Sequence, residues 1–504
     1  MHRFRSTVFC LTLAAFSLIA APVAAQEGAT ASAQPAEAAV EAADAEKAFA
    51  KEAAELDSAV RAILAGSDVT RGTVGIHVED VDTGQVLVSR SADEPMNPAS
   101  NVKLITSAAA LDTFGPQHSF GTRLMAEGVD DAGTVEGSLY VEGGGEAFLL
   151  FEDFLDWAGQ LRQKGVTAIE GDIVIDDTAF DGDYLPPGFE QKDEDASYRP
   201  PIGAVSVNFN AVSAVVEPGD KPGAAANCRL VPPNKHVEIV NKAKTAPGRR
   251  RHIQLRSEPT ESGTRLVIEG RIGQQASAFR GRKRIDNPPE FAGAVLASAL
   301  EMVGIEFDGE VKVGSTPDDA EKLVSHSSQP LSYVVLAMNK WSNNFMAEQV
   351  LRNLGVGDDD EASTWDASRE AAMEFLEKAG VDTEKLTIHN GSGLYDGNLV
   401  SPRQFVQLLR YMNDHPSAPE YLSSLAIAGT DGTLKRRLKD APTAGNVRAK
   451  TGTLNEVSAV SGYARTESGR MVAFSVLVND PPRRAWHYRP VQDRIVEAIV
   501  GFDG

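Results

Sequence analysis

The chain has 504 residues, and its 49 Lys and Arg against 71 Asp and Glu give a formal net charge of −22. So acidic a balance repels a phosphate backbone and excludes nucleic acid as a partner. A chain of this length has room for roughly two or three buried cores, and past its first residues no stretch is long and apolar enough to cross a bilayer.

In chain order, the first element is MHRFRSTVFCLTLAAFSLIAAPVAAQ. Arg3 and Arg5 precede an apolar run ending in Val23-Ala24-Ala25, the pattern of a cleaved secretory signal over residues 1–25. The run is short and lacks a basic stop-transfer flank, which argues against a membrane anchor. Removing it takes the charge from −22 to −24 and leaves Cys228 as the single cysteine, so the exported chain forms no intramolecular disulfide. Residues 26–44, Ala- and Glu-rich with Pro35, read as a flexible leader. Over 45–65, Phe49, Ala53, Leu56, Val60 and Leu64 recur at helical spacing and predict an amphipathic helix.

TVGIHVEDVDTGQVLVSRS then reads as two strands turning at Asp82-Thr83-Gly84. Near the far end, NVRAKTGTL, EVSAVSGYAR and RMVAFSVLVND read as three strands, the last two joined at Glu467-Ser468-Gly469, before a closing helix in RPVQDRIVEAIVGF. The pattern predicts an α+β fold in which the two ends of the chain, 45–117 and 323–504, build one five-stranded antiparallel sheet flanked by helices. Between them, LDWAGQLRQKGVTAIEGDIVI and FAGAVLASALEMVGIEFDGEVKV share an order of helix, Gly-Val or Gly-Ile, and strand. They are predicted to be two halves of an inserted domain, 118–205 and 290–322. Residues 206–289 are strand-like and predict a nested β-rich domain, whose Arg249-Arg250-Arg251 run reads as solvated surface.

Three short words carry chemistry. In NPASNVKLITSAAAL, Ser100 and Lys103 stand three positions apart where a helical pattern begins. Ser100 is either a helix cap or a nucleophile whose base lies on the same helix face. An apolar setting from Val102, Leu104 and Ile105 would lower the lysine pKa and let a neutral amine take the serine proton. NKWSNNFMAEQVL holds Ser342 and Asn344 at the start of an amphipathic pattern, where a cap is again the plain alternative. RAKTGTL places Lys450, Thr451, Gly452 and Thr453 on a strand, with Gly452 allowing close approach of a ligand backbone; an ordinary exposed strand is the alternative. No H-E-x-x-H occurs among the nine histidines, and Gly143-Gly144-Gly145 lacks the Lys-Ser/Thr of a phosphate loop.

S-x-x-K, S-x-N and K-T-G in this order resemble the penicillin-recognising serine enzymes. The long gap between Ser100 and Ser342 is similar to that of the class C low-molecular-mass penicillin-binding proteins, the D-alanyl-D-alanine carboxypeptidase/endopeptidases of peptidase family S13. YVEGGGEAFL, IEGDIVIDDTAFDGDYLPPG, VSVNFNAV, HNGSGLYDGNLVSP, AIAGTDGTLKRRL and AKTGTLNEVSAVSGYA add to the resemblance, which runs from about residue 55 to the C-terminus. It implies the serine β-lactamase/penicillin-binding fold, and a periplasmic enzyme that cleaves D-alanyl bonds of peptidoglycan stem peptides through an acyl-enzyme on Ser100 and is inhibited by β-lactams. It implies no metal and no cofactor, and leaves the oligomeric state open.

By the same resemblance Lys103 is the general base. Ser342 and Lys450 return the proton to the leaving amine, and Asn344 holds the acyl amide. The N–H groups of Ser100 and Thr453 form the oxyanion hole, while Thr451 and Thr453 bind the terminal carboxylate across Gly452. Ser392 is expected to line the cleft, with a plain Gly-Ser-Gly turn as the alternative, and Tyr198 to touch the stem, with simple packing beside the prolines as the alternative. Asn390 stands where many relatives carry Asp. The same words serve a β-lactamase, and a wall-binding protein can keep such a fold without its chemistry. The long insertion and the intact Ser100, Lys103, Ser342, Asn344 and Lys450 favour the peptidase.

Overall fold

The structure, a computed structural model, describes residues 34–261, 263–357 and 361–502. The predicted signal segment and the start of the leader lie outside the described residues. The described residues fall into two units, one up to Ala50 and one from Lys51 onward. The first helix, Gln34–Ala65, starts well before the predicted 45. Its early residues are almost all Ala and Glu, strong helix formers, and Pro35 sits in the first turn where its missing N–H costs nothing. Within the second unit, Leu56, Val60 and Leu64 of this helix are buried as the spacing predicts.

The main sheet has six strands, ordered Ala426–Ile427, Val447–Thr453, Val457–Arg465, Met471–Asn479, Thr73–Asp80 and Val86–Arg90, every pair antiparallel. The expected five are present, and the sixth is a two-residue edge strand too short to leave a periodic signature. Both predicted turns form: Gly84 and Gly469 take positive φ of 71° and 91°, which glycine adopts without strain. Thr73–Asp80 pairs with Met471–Asn479 over eight positions, so the two ends of the polypeptide close the sheet against each other.

Both faces of this sheet are covered. On one, Ala459, Tyr463, Ala473 and Leu477 join a large apolar cluster with the helices Lys103–Phe114, Leu331–Trp341, Asn344–Leu354, Trp365–Lys378 and Pro402–Asp414. On the other lies the helix Arg489–Val500, whose buried Gln492 bonds Ser458 and the Val476 carbonyl at 2.8 and 3.2 Å. Burial of the central strands on both sides explains their near-continuous apolar sequence.

The intervening chain builds a seven-stranded sheet and two smaller ones. In the seven-stranded sheet the two similar units lie side by side: Ala168–Ile169 pairs in parallel with Glu306–Phe307, and Ile173–Asp176 with Val311–Val313. Their helices, Phe151–Gln163 and Pro288–Met302, are buried in one apolar cluster. Residues 211–284 form the three- and four-stranded sheets, and Val212, Ala214, Leu266 and Ile268 share that same cluster.

Candidate active site

The three sequence words meet at one end of the main sheet. Ser100 lies in a single 3₁₀ turn, Ala99–Val102, that leads into the helix Lys103–Phe114. Neither helical segment uses the Ser100 side chain as a cap: the capping positions are Pro98 and Val102, without side-chain bonds. The hydroxyl is therefore free for another role. The turn is pinned to the sheet by Asn101, whose Nδ2 donates to Ser461 Oγ at 2.7 Å, and Ala99 is held at φ 45°, a left-handed conformation costly for alanine.

Gly452 and Gly393 fix the turn from two sides. A Cβ on Gly452 would sit 2.7 Å from the Pro98 carbonyl and 3.0 Å from the Ser100 nitrogen, and one on Gly393 would sit 1.9 Å from the Ala99 carbonyl. Gly452 thus admits the turn that carries Ser100, not only a ligand backbone as its place on the strand suggested.

Lys103 is fully buried, and its ammonium donates to Ser100 Oγ at 3.2 Å, Asn344 Oδ1 at 2.8 Å and the Ser392 carbonyl at 2.6 Å. Burial lowers its pKa to about 7, against the opposing pull of buried Glu348. Glu348 accepts the Gly391 and Ser392 N–H groups at 2.9 and 2.8 Å, and burial raises its own pKa. Lys450 is also fully buried; its Nζ donates to Ser342 Oγ at 2.9 Å and to the Thr451 carbonyl at 2.7 Å. Burial first, then the charge of Lys103, holds its pKa well below the usual lysine range.

Ser342 does not begin a helix. It ends Leu331–Trp341 in the left-handed conformation, φ 55°, and Asn343 caps the next helix by accepting the Met346 N–H. This geometry turns its hydroxyl back toward Lys450. The Asn344 amide bridges Lys103 and the Tyr198 carbonyl, to which Nδ2 donates at 2.8 Å.

Ser100, Ser342, Asn344, Thr453 and Tyr198 line one cleft of about 650 Å³. Tyr198 is half exposed, its hydroxyl donates to Glu194, and burial together with that carboxylate pushes its pKa up to about 12. Ser392 does not line the cleft. Its side chain is fully buried, and its N–H and carbonyl tie Glu348 to Lys103. Thr451 directs its hydroxyl to Thr433 Oγ1 at 2.7 Å. Asn390 uses its amide both ways, donating to the Pro187 and Leu394 carbonyls and accepting the Gly393 N–H; a carboxylate there has no hydrogens to donate.

Glu348 escaped the sequence reading, although it stands four positions after Asn344 on the same helix face. Trp486 and Glu194 also line the cleft and carried no motif.

A serine hydroxyl beside a buried amine, with a second buried amine feeding a second hydroxyl, is equipped for acyl transfer by proton relay. The model of the D-Ala-D-Ala carboxypeptidase 3 (S13) family matches residues 56–501. A D-alanyl-D-alanine carboxypeptidase of Actinomadura sp. (strain R39) is 34% identical over 467 residues, covering 89% of this chain and 85% of the relative. The D-alanyl-D-alanine carboxypeptidase DacB of Haemophilus influenzae is 25% identical over 420 residues, 82% of this chain and 88% of its own. The crystal structure of penicillin binding protein 4 from Haemophilus influenzae superposes with a TM-score of 0.75 at 24% identity, covering 87% of this chain and 99% of that one. The fold is thus that of the penicillin-binding DD-peptidases. The chain belongs to the D-Ala-D-Ala carboxypeptidase 3 (S13) family, and it is a serine-type carboxypeptidase.

Proposed function

We propose that this serine D-alanyl-D-alanine carboxypeptidase works through Ser100 as nucleophile and Lys103 as its base, on peptidoglycan stem peptides. The neutral Lys103 amine takes the Ser100 proton as Oγ bonds to the carbonyl carbon of the penultimate D-alanine. The N–H groups of Ser100 and Thr453 hold the oxyanion, and Asn344 holds the acyl amide. As the C–N bond breaks, Ser342 gives its hydroxyl proton to the leaving amine and is resupplied from Lys450. Lys103 passes its extra proton to Lys450, takes one from the attacking water as that oxygen bonds to the ester carbon, and returns it to Ser100 Oγ as the Oγ–carbon bond breaks and the acid product leaves.

The observation that carries this reading is the 3.2 Å contact between the buried Lys103 amine, its pKa near 7, and a Ser100 hydroxyl that caps no helix. On the same reading β-lactams acylate Ser100, and cross-linked stems are cleaved as well as free ends. The chain is exported to the periplasm by residues 1–25; 118–205 with 290–322 form an inserted domain that overhangs the cleft and whose Tyr198 touches the peptide stem, and 206–289 form a β-rich unit nested in it. Mass spectrometry after exposure to penicillin tests it: a long-lived adduct on Ser100 is expected, together with D-alanine release from a pentapeptide stem, and Ser100→Ala loses both. Rapid penicillin turnover would point to a β-lactamase instead.

A further inference from the structure

We propose that Arg489 binds the free carboxylate of the peptide's C-terminal residue, at the leaving-group end of the cleft beside Thr453. The inference rests on the Ser100 cleft being the peptidase site. A carboxypeptidase must separate a peptide end that bears a charge from an uncharged amide, and in a cleft this calls for a fixed cation with directed donors.

The other cations at the site are committed elsewhere. The hydrogens of Lys103 point at Ser100, Asn344 and the Ser392 carbonyl, and those of Lys450 at Ser342 and the Thr451 carbonyl. The lining itself carries Glu194, Asp396 and Glu456 against one lysine, Lys192. That lysine lies over the Tyr395 ring, 4.7 Å from its centroid. An anionic peptide end entering this lining meets more repulsion than attraction unless a further cation faces it.

Arg489 opens the helix Arg489–Val500, and its Nη2 donates to Thr453 Oγ1 at 3.0 Å. Thr453 gives its own hydrogen to the Gly452 carbonyl at 2.7 Å, so its oxygen is left to accept, and the guanidinium is held against the side chain of this cleft-lining residue without lining the cleft itself. Among the described residues no carboxylate pairs with Arg489: Asp493, one turn along the same helix, is held by Arg437 at 2.8 and 3.0 Å. The remaining guanidinium hydrogens form a planar fork that matches a carboxylate. Thr453 then sets the position of the cation as well as contacting the peptide, a division the K-T-G word alone does not reveal.

The test compares N-acylated D-Ala-D-Ala as the free acid with the same peptide as its C-terminal amide, by D-alanine or D-alaninamide release. The wild type prefers the acid. In Arg489→Gln the acid-to-amide ratio of kcat/KM falls roughly 10- to 100-fold, the scale of a charge-assisted hydrogen bond, and Arg489→Lys falls between. An unchanged ratio in a folded Arg489→Gln protein overturns the inference. Equilibrium binding of the two peptides to Ser100→Ala, with and without Arg489→Gln, repeats the comparison without turnover. If the wild type cleaves neither peptide, the peptidase reading fails, and the binding ratio still decides whether Arg489 recognises the carboxylate.

Discussion

Two lysines beside the Ser100 cleft and two on the inserted sheets are held in opposite ways. In the inserted part, Lys312 and Lys242 are more than half exposed and pair with Asp172 and Glu269, and the Asp172 carboxylate raises the Lys312 pKa. Beside the main sheet, Lys103 and Lys450 are wholly buried, neither is in a salt bridge among the described residues, and burial lowers both. Burying an ammonium without a paired carboxylate is costly. The exposed pair stays charged at the surface, and the buried two are amines ready to lose a proton.

The contrast is broken most directly at Lys103. Lys103→Arg keeps the charge and removes a titratable base, so the penicillin acylation rate is expected to fall roughly 10³-fold or more; near-normal acylation would put the base elsewhere. In the wild type the same rate rises with pH through about 7, because only the deprotonated amine accepts the serine proton. A smaller change is expected from Glu348→Gln. Removing the carboxylate removes the charge that raises the Lys103 pKa, so the rising limb moves to lower pH. One of the two N–H groups it accepts is left unmet, at a cost of about 1–3 kcal/mol in unfolding free energy. A limb that stays in place would make Glu348 a purely structural brace. The smallest effect belongs to the exposed lysine: Lys312→Gln leaves the melting temperature and acylation rate unchanged within error, and a loss comparable to that of Glu348→Gln would erase the difference between the regions.

Strong local signals carried much of this from sequence. The hairpin turns at Gly84 and Gly469 require positive φ, and the apolar runs around them predicted the sheet. Ser100, Lys103, Ser342, Asn344 and Lys450 converge because motif words report chemistry that distance in the chain conceals. What stayed hidden depends on which way a side chain turns. Ser392 was expected in the cleft and faces inward, since a Gly-Ser-Gly turn has no periodicity to orient it. Glu348 looks like one more polar residue on an amphipathic helix until the neighbouring 391–392 N–H groups are placed against it. Arg489 lies at the start of a closing helix that was predicted, beside a strand whose proximity only the folded sheet discloses.

Gly393 and Gly452 both press on the Ser100 turn, each at a distance that leaves no room for a Cβ. The placement of Ser100 is secured by two missing methyl groups. Gly393 lines the cleft and Gly452 does not, so a mutational survey confined to lining residues would reach one of the two, although a single added carbon at either position collides with the backbone that carries Ser100.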